Sequence, residues 1–252
     1  MNKKLSVFAI GTGGAFDTDK VNSSFYVKFK NDKILVDCGY NVFPYIKENM
    51  PEVLEELNAV FITHLDDDHI GSLKSLLFYR YYILGKSTLI RCGEDITRAL
   101  IDYLPSNNVM KNGKYVKINI WSLIDLPNFN PDTLKASGNL PNSFIYPVKC
   151  VHHVPSYGFV FGFKDGGMIY ISGDTKAAIS IEETINLIDN VYNIKESFLL
   201  HDFTYHNVPE ETSHACQKDI EVRYSTRFIE RLNYYHNDKC VLNGLIYELK
   251  EK

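Results

Sequence analysis

The residues with the clearest chemical potential lie in one segment, residues 63–71, which reads THLDDDHIG. Two imidazoles and three carboxylates occur there within six positions, directly after the apolar residues 59–62. Donors this dense at the end of an apolar strand are typical of a site where a divalent cation offsets the charge. Aspartates that cap a following helix would explain one or two of the carboxylates, but not histidines at both ends. The segment therefore predicts a metal site.

Further donors are spread along the chain in short clusters. The eight histidines are His64, His69, His152, His153, His201, His206, His214 and His236. Such clusters, separated by long gaps, are expected when several loops converge on one site. The five cysteines are scattered and form no CxxC pair, so disulfides and a thiolate zinc site are not expected.

The elements that must position these donors follow from the apolar pattern. Strands are predicted over residues 5–11, 24–29, 33–39, 59–64, 145–151, 158–163, 167–173 and 197–203. Helices are predicted over residues 43–57, 72–83, 177–188 and 215–232. Strands in both halves with helices between them favour an α/β fold, two sheets packed face to face with helices outside. The periodicity alone does not separate this arrangement from other α/β folds. Because no repeat or linker interrupts the chain, we expect residues 1–252 to form a single domain.

Composition limits the classes of partner. The chain has 252 residues, of which 45% are hydrophobic and 23% charged, and a formal net charge of −4. With no overall basic field, a long polyanion is a poor default partner. The sequence has no run of about 18 apolar residues and no signal-peptide cleavage pattern behind MNKK. We therefore expect a cytoplasmic protein, in the host cell if a phage encodes it.

These motifs resemble those of the metallo-β-lactamase superfamily, whose signature HxHxDH occurs here as HxDxDH. HHVPSYGF (152–159) resembles the third metal motif as the ribonuclease Z branch has it, and ISGDT (171–175) resembles the strand-end aspartate motif. YHND (235–238) is similar to the final histidine motif, and Asp37 matches an early strand aspartate. The resemblance implies an αββα sandwich of the metallo-β-lactamase type.

The resemblance also implies two divalent metal ions and their ligands. The first ion would be held by His64, Asp66 and His152, the second by Asp68, His69 and His236, and Asp174 would bridge both. We prefer His152 to His153 because His152 stands three residues before Pro155, as in the family pattern. Neighbours on a strand also point to opposite faces, so only one of the pair should face the metals, with His153 at most in a supporting position.

Asp66 departs from the family pattern, which has an imidazole there. Zinc is the metal that the family implies, but a hard, charged ligand shifts the preference toward manganese, magnesium or iron. The alternative is that Asp66 points away and the first metal is weakly bound or absent. The sequence therefore predicts two divalent ions and leaves their identity open.

A dinuclear site suits hydrolysis of phosphodiesters, thioesters, lactones or β-lactams, and the fold does not choose among them. GTGGAF (11–16) resembles the opening of ribonuclease Z and of smaller cyclic-phosphodiester hydrolases, and it could place backbone N–H groups near an anion or be a tight turn. LLHDFTYH (199–206) and SHAC (213–216) resemble the segments that pair an acidic residue, here Asp202, with His214. We predict Asp68, Asp202 and His214 as catalytic residues, with His214 protonating a leaving alkoxide. The alternative for His214 is an exposed helix cap.

Spacing argues for a small substrate. Only 22 positions separate His152 from Asp174, too few for the arm with which ribonuclease Z grips tRNA. The chain is similar to compact phage enzymes of the anti-Pycsar type, which hydrolyse cyclic pyrimidine mononucleotides and so evade cyclic-nucleotide immune signalling. We expect a 3′,5′-cyclic nucleotide phosphodiesterase. The alternatives are a ribonuclease Z-like endonuclease, a thioester or lactone hydrolase, and a binding protein with a degenerate site.

Two expectations concern aromatic residues. FYRYY (78–82) could stack on a base or form a lid, although aromatic residues at helical spacing more often belong to a core or an interface. Relatives are commonly homodimers, and 17 tyrosines and 15 phenylalanines permit an aromatic interface. We expect a homodimer with no extended nucleic-acid surface and no membrane contact.

Overall fold

The computed structural model describes residues 4–104, 108–111, 114–117, 120–122, 141–204, 214–235 and 244–249. The first sheet contains β1 (Leu5–Gly11), β2 (Ser24–Phe29), β3 (Asp32–Val36), β4 (Ala59–Phe61), β5 (Leu89–Cys92), β8 (Ile120–Ser122) and β14 (Gly244–Glu248). Its strand order is β14-β1-β2-β3-β4-β5-β8. The pairs from β14 to β3 are antiparallel and those from β3 to β8 are parallel. A separate hairpin pairs β6 (Asn108–Lys111) with β7 (Lys114–Lys117).

The second sheet contains β9 (Ser143–Lys149), β10 (Tyr157–Phe163), β11 (Gly167–Ile171), β12 (Glu196–Asp202) and β13 (Leu232–Tyr235). Its order is β13-β12-β11-β10-β9. The strands β9, β10 and β11 are antiparallel neighbours, whereas β11, β12 and β13 are parallel. The helices of the described residues are α1 (Val42–Asn49), α2 (Pro51–Glu56), α3 (Asp67–Ile70), α4 (Leu73–Tyr82), α5 (Glu94–Tyr103), α6 (Ile179–Tyr192), α7 (Gln217–Arg223) and α8 (Thr226–Ile229).

The layers confirm the expected αββα sandwich. Apolar side chains from both sheets fill the space between them, and Phe61 of β4 meets Phe159 of β10 edge-on, with ring centroids 5.0 Å apart. The outer face of the first sheet is covered by α1, α2, α4 and α5. On the second sheet, α6 buries Ile181, Ile185 and Ile188, whose spacing places them on one helix face. No helix among the described residues is long and apolar enough to cross a membrane.

Parallel pairing brings the chemically interesting residues to one edge. Val36 pairs with Phe61, so the residues that follow β3 and β4 lie side by side. In the second sheet Ile171 pairs with Leu200, which does the same for the residues that follow β11 and β12. A hydrogen bond from the Tyr157 amide to the Thr63 carbonyl (3.0 Å) joins the two sheets at this edge. The carboxyl ends of parallel strands are where sites form in many α/β folds.

Two predicted helices are wrong in their extent. The helix over residues 43–57 is divided at Met50, because Pro51 starts a second helix, where its missing N–H is no loss. The helix over residues 215–232 is α7 and α8 with extended backbone between them, followed by β13. The Glu182 carboxylate accepts hydrogen bonds from the amide and the hydroxyl of Ser225, and the Ser225 side chain caps α8. These contacts interrupt a helix that its periodicity alone favours.

Candidate metal centre

The segment THLDDDH forms the turn from β4 into α3. His64, Asp68 and His69 are buried polar residues, which is costly unless their charges and ring nitrogens have partners. Asp66 occupies the N-cap of α3, but its side chain makes no capping hydrogen bond. Helix capping therefore does not account for the Asp66 carboxylate.

Imidazole and carboxylate atoms from both sheets converge here in two groups. In the first group the Asp66 Oδ2 lies 3.5 Å from His64 Nε2 and 3.3 Å from His152 Nε2. In the second group the His69 Nε2 lies 3.5 Å from Asp68 Oδ2 and 3.2 Å from Asp174 Oδ1.

Asp174 takes part in both groups. Its second oxygen, Oδ2, lies 3.7 Å from His64 Nε2, so the two oxygens face different groups. This is the arrangement expected of a bridging carboxylate. Asp174 reaches this place because Gly173 lets the chain pass close to its neighbours: a Cβ on Gly173 would lie 2.5 Å from the Ser156 Oγ.

The donor set fits divalent cations. Two donors about 2.0–2.1 Å from a tetrahedral ion lie about 3.3 Å apart, which is close to the separations in both groups. The buried Nε2 of His64 has no hydrogen-bond partner among the described residues. Burial and the neighbouring His69 imidazole lower the pKa of His64, which keeps it in the neutral form that binds metals. Three carboxylates around buried imidazoles need added positive charge, as two ions would supply.

Asp37 fixes the orientation of both buried histidines. Its carboxylate accepts hydrogen bonds from the Thr63 amide (2.9 Å), the Thr63 hydroxyl (2.7 Å) and the His69 Nδ1–H (2.8 Å). Because the Thr63 hydroxyl donates to Asp37, it accepts from the His64 Nδ1–H at 2.9 Å. In both rings the Nδ1 therefore carries the proton, and Nε2 offers its lone pair to the site.

The protonation of Asp66 and His69 responds to their charged neighbours. The neighbouring His152 and His64 imidazoles lower the pKa of Asp66, so this carboxyl is ionised. Although burial alone would lower it, the Asp174 and Asp37 carboxylates raise the pKa of His69 well above its usual value. Without a cation, His69 therefore holds a second proton at Nε2, and a metal ion bound there would take the place of that proton. The Asp66 carboxylate thus lies among the imidazoles and does not point away from them. His236, predicted as a ligand of the second ion, lies outside the described residues and stays a prediction.

A histidine–aspartate pair lies next to the two groups. The His214 Nδ1 donates to Asp202 Oδ2 at 2.8 Å and lies 3.7 Å from Asp174 Oδ2. The same Asp202 oxygen accepts the Thr175 amide at 2.9 Å, which ties it to the loop that carries Asp174. His214 does not cap a helix, because Cys216 is the N-cap residue of α7.

Comparison with known proteins identifies the family of the chain. Residues 5–244 match the family described as Anti-Pycsar protein Apyc1. The chain belongs to the Anti-Pycsar protein Apyc1 family. A relative of that name from Paenibacillus sp. (strain J14) is 31% identical over 133 residues, which cover 53% of this chain and 51% of the relative. Another, from Bacillus phage BSP38, is 30% identical over 181 residues, 66% of this chain and 67% of that one. The match thus spans about half to two thirds of these relatives.

Solved structures place this Apyc1-family chain in the metallo-β-lactamase fold. The metallo-β-lactamase fold protein YhfI from Bacillus subtilis superposes with a TM-score of 0.65 at 17% identity, covering 94% of this chain and 88% of that chain. The short form of human tRNase Z superposes with a TM-score of 0.60 at 17% identity, covering 92% of both chains. At these identities the likeness concerns the fold alone.

Other predicted features of the Apyc1-family chain have structural explanations. In the glycine-rich segment the Gly13 amide donates to the Val21 carbonyl and the Gly14 amide to the Asp17 carboxylate. Both amides are thus used within the segment, which favours the interpretation as a tight turn and not the one as an anion-binding loop. Within FYRYY (78–82), the buried Arg80 donates to backbone carbonyls, including that of Ser87 at 3.2 Å, which favours a structural role for this helix.

One residue that the sequence argument set aside also reaches the site. His153 Nε2 lies 3.4 Å from Asp66 Oδ2. The prediction that only one of the neighbouring pair faces the metal ligands assumed a strand, but residues 151–154 form a bent loop between β9 and β10. Strand alternation therefore does not separate the two imidazoles. The doubled histidine just before Pro155 was the signal available in the sequence.

Proposed function

We propose that the chain is a metal-dependent phosphodiesterase that opens a small cyclic phosphodiester, specifically a 3′,5′-cyclic pyrimidine nucleotide, to the linear monophosphate. The observation that carries this proposal is the Asp202–His214 pair beside Asp174. It supplies a positioned proton donor next to the candidate metal ligands.

The pair suits a poor leaving group. Asp202 accepts the Nδ1–H of His214, so Nε2 is the nitrogen that can carry and release a second proton. When water attacks phosphorus and one ester P–O bond breaks, the departing ribose alkoxide needs that proton. A thiolate leaves without such help, which makes the pair less useful to a thioesterase.

The metal ligands would be those of the two groups, with Asp174 shared and His236 as the expected further ligand of the second ion. Divalent ions held there would lower the pKa of water and stabilise negative charge on the phosphoryl oxygens. By the family resemblance the ions are zinc, whereas Asp66 favours manganese, magnesium or iron. Asp37 and Thr63 keep His64 and His69 in the tautomer that such ions require.

A small substrate is supported by the segment between His152 and Asp174. The hairpin of β10 and β11 occupies most of it, so no inserted arm extends from this part of the chain. The relatives are named Anti-Pycsar proteins, in keeping with the cyclic pyrimidine nucleotide expected from the sequence. We further propose that this activity serves to evade cyclic-nucleotide immune signalling. We also propose that the chain forms a homodimer, and the mass measured by light scattering would test this.

A leaving-group comparison tests the role of His214. His214→Ala should lower the turnover of a cyclic nucleotide about 10²–10⁴-fold, the usual contribution of a general acid. The loss should be much smaller with bis-p-nitrophenyl phosphate, because p-nitrophenolate is a weak base that leaves unprotonated. Equal losses on both substrates, or unchanged thioesterase activity with no phosphodiesterase activity, would contradict the proposal.

A control separates an acid from a metal ligand. Asp174, Asp202 and His214 also form a group that could hold a cation. The acid role predicts that His214→Ala keeps the metal content of the wild type. Loss of one metal equivalent in this variant would assign His214 to the metal instead.

A further inference from the structure

Three imidazoles, and not two, surround the Asp66 carboxylate. Its Oδ2 lies 3.3 Å from His152 Nε2, 3.4 Å from His153 Nε2 and 3.5 Å from His64 Nε2. The His152 and His153 rings are in contact, with centroids 4.2 Å apart. Asp66, His152 and His153 form a group whose donor atoms lie within 4.8 Å of one another.

The loop explains how adjacent histidines reach one place. The Val151 amide donates to the Thr175 hydroxyl (2.9 Å), and the Cys150 amide donates to the Ser156 carbonyl (2.9 Å). These bonds close the loop around His152 and His153 and hold it against the strand end that carries Asp174. The His152 side chain is buried, whereas that of His153 is 57% exposed, so His153 approaches Asp66 from the solvent side.

The separations suit a shared cation. Donors about 2.1 Å from one ion lie about 3.0 Å apart at 90° and about 3.6 Å apart at 120°, the angles of five- and six-coordinate ions. The 3.4 Å from His153 Nε2 to Asp66 Oδ2 falls within this range. An imidazole that only needed a hydrogen bond to a carboxylate would be expected nearer the usual N–H···O distance of about 2.9 Å.

The residue type at position 66 explains why a further nitrogen donor would be needed at this ion. The chain has a carboxylate where the metallo-β-lactamase signature has an imidazole, which removes one neutral nitrogen donor and adds one negative charge. His153 brings a nitrogen donor back to the same place from another loop. We propose that His153 is a further ligand of the metal held by His64, Asp66 and His152, at the solvent-facing side of that ion. This inference rests on the proposed metal centre but not on the identity of the substrate.

The test measures metal binding directly. Wild type, His153→Ala and His153→Gln are equilibrated with buffered free Zn²⁺, bound metal per chain is counted by mass spectrometry, and Co²⁺-loaded protein is examined by visible absorption. His153→Ala should weaken one of the two equivalents by at least about 10-fold, as changes around metal sites commonly do. The Co²⁺ spectrum should shift, and added imidazole should restore both properties because the position is exposed. Val151→Ala, an exposed change in the same loop, should behave as wild type.

Each alternative result decides against the proposal. Unchanged affinity and spectrum in His153→Ala would remove His153 from the ligand set. Recovery in His153→Gln, which can donate to Asp66, would make His153 a hydrogen-bond donor that positions the carboxylate. Loss of both equivalents would also contradict it, because His153 contacts Asp66 and His152, which both belong to the first group. None of these readouts depends on which substrate is cleaved, so failure here leaves the phosphodiesterase proposal to its own test.

Discussion

The substitution Asp37→Asn keeps the shape of the side chain, but it removes the negative charge and replaces one hydrogen-bond acceptor with a donor. The residue lies in the left-handed region, with φ of 62°, which asparagine adopts readily, so the backbone is not strained by the change. Asparagine keeps one oxygen, and this oxygen must accept the hydrogen bond from the Thr63 amide because a backbone N–H can only donate. Its NH₂ group then faces the Thr63 hydroxyl and the His69 Nδ1–H, both of which donate to Asp37.

The conflict has a defined consequence for the metal site. It is relieved when His69 moves its proton from Nδ1 to Nε2, the atom 3.2 Å from Asp174 and 3.5 Å from Asp68. A proton there competes with the metal. Loss of such supporting hydrogen bonds commonly costs 10–100-fold in metal affinity, which corresponds to about 1.4–2.7 kcal/mol.

Chelator competition with Zn²⁺ or Mn²⁺ measures this affinity. Asp37→Asn should bind the second ion about 10–100-fold more weakly than the wild type. Asp32→Asn is a matched control, since it makes the same change at an exposed residue of β3. If Asp37→Asn binds both equivalents with wild-type affinity, the argument that Asp37 sets the tautomer of His69 is wrong.

Three further changes address the acid, the core and pH. Asp202→Asn should lower cyclic-nucleotide turnover by about 10²-fold or more at unchanged metal content, because His214 loses the acceptor that orients it; full activity would contradict this. Phe161→Ala, between the sheets, should cost about 3–5 kcal/mol in urea unfolding, and a cost below 1 kcal/mol would contradict the packing. Burial lowers the pKa of His201 from 6.5, so the unfolded chain takes up a proton first as the pH falls. Below about pH 6.5 this group should cost up to about 1.4 kcal/mol of stability per pH unit. In metal-free protein, His201→Gln should lose that part of the pH dependence, and a slope equal to that of the wild type would refute the assignment.

Much of the site was predictable because its donors are local in sequence. The spacing of His64, Asp68 and His69 at a strand end is a sufficient signal, and His152 and Asp174 follow from motifs at other strand ends. These residues converge because neighbouring strands pair in parallel in both sheets, which brings the carboxyl ends of those strands to one edge. The alternation of strand and helix segments in both halves favoured an α/β fold, and the resemblance to the metallo-β-lactamase superfamily singled out the αββα sandwich.

The errors come from contacts distant in sequence. The periodicity of residues 215–232 fits one helix, and only the position of Glu182 on another helix explains the break at Ser225. His153 was given at most a supporting position by a rule for strands, and that rule does not apply because residues 151–154 form a loop. Asp37 was recognised by its place in a motif, but its hydrogen bonds to Thr63 and His69 require the folded strand ends.

The central claim is that this chain opens small cyclic phosphodiesters with the help of divalent ions. The most direct measurement incubates the purified protein with Mn²⁺ or Zn²⁺ and a panel of cyclic nucleotides, short RNAs, pre-tRNA and acyl thioesters, with chelator-treated protein alongside. Metal-dependent conversion of cyclic CMP or cyclic UMP to the linear monophosphate is the predicted result. Cleavage of pre-tRNA alone, or of thioesters alone, would contradict the account.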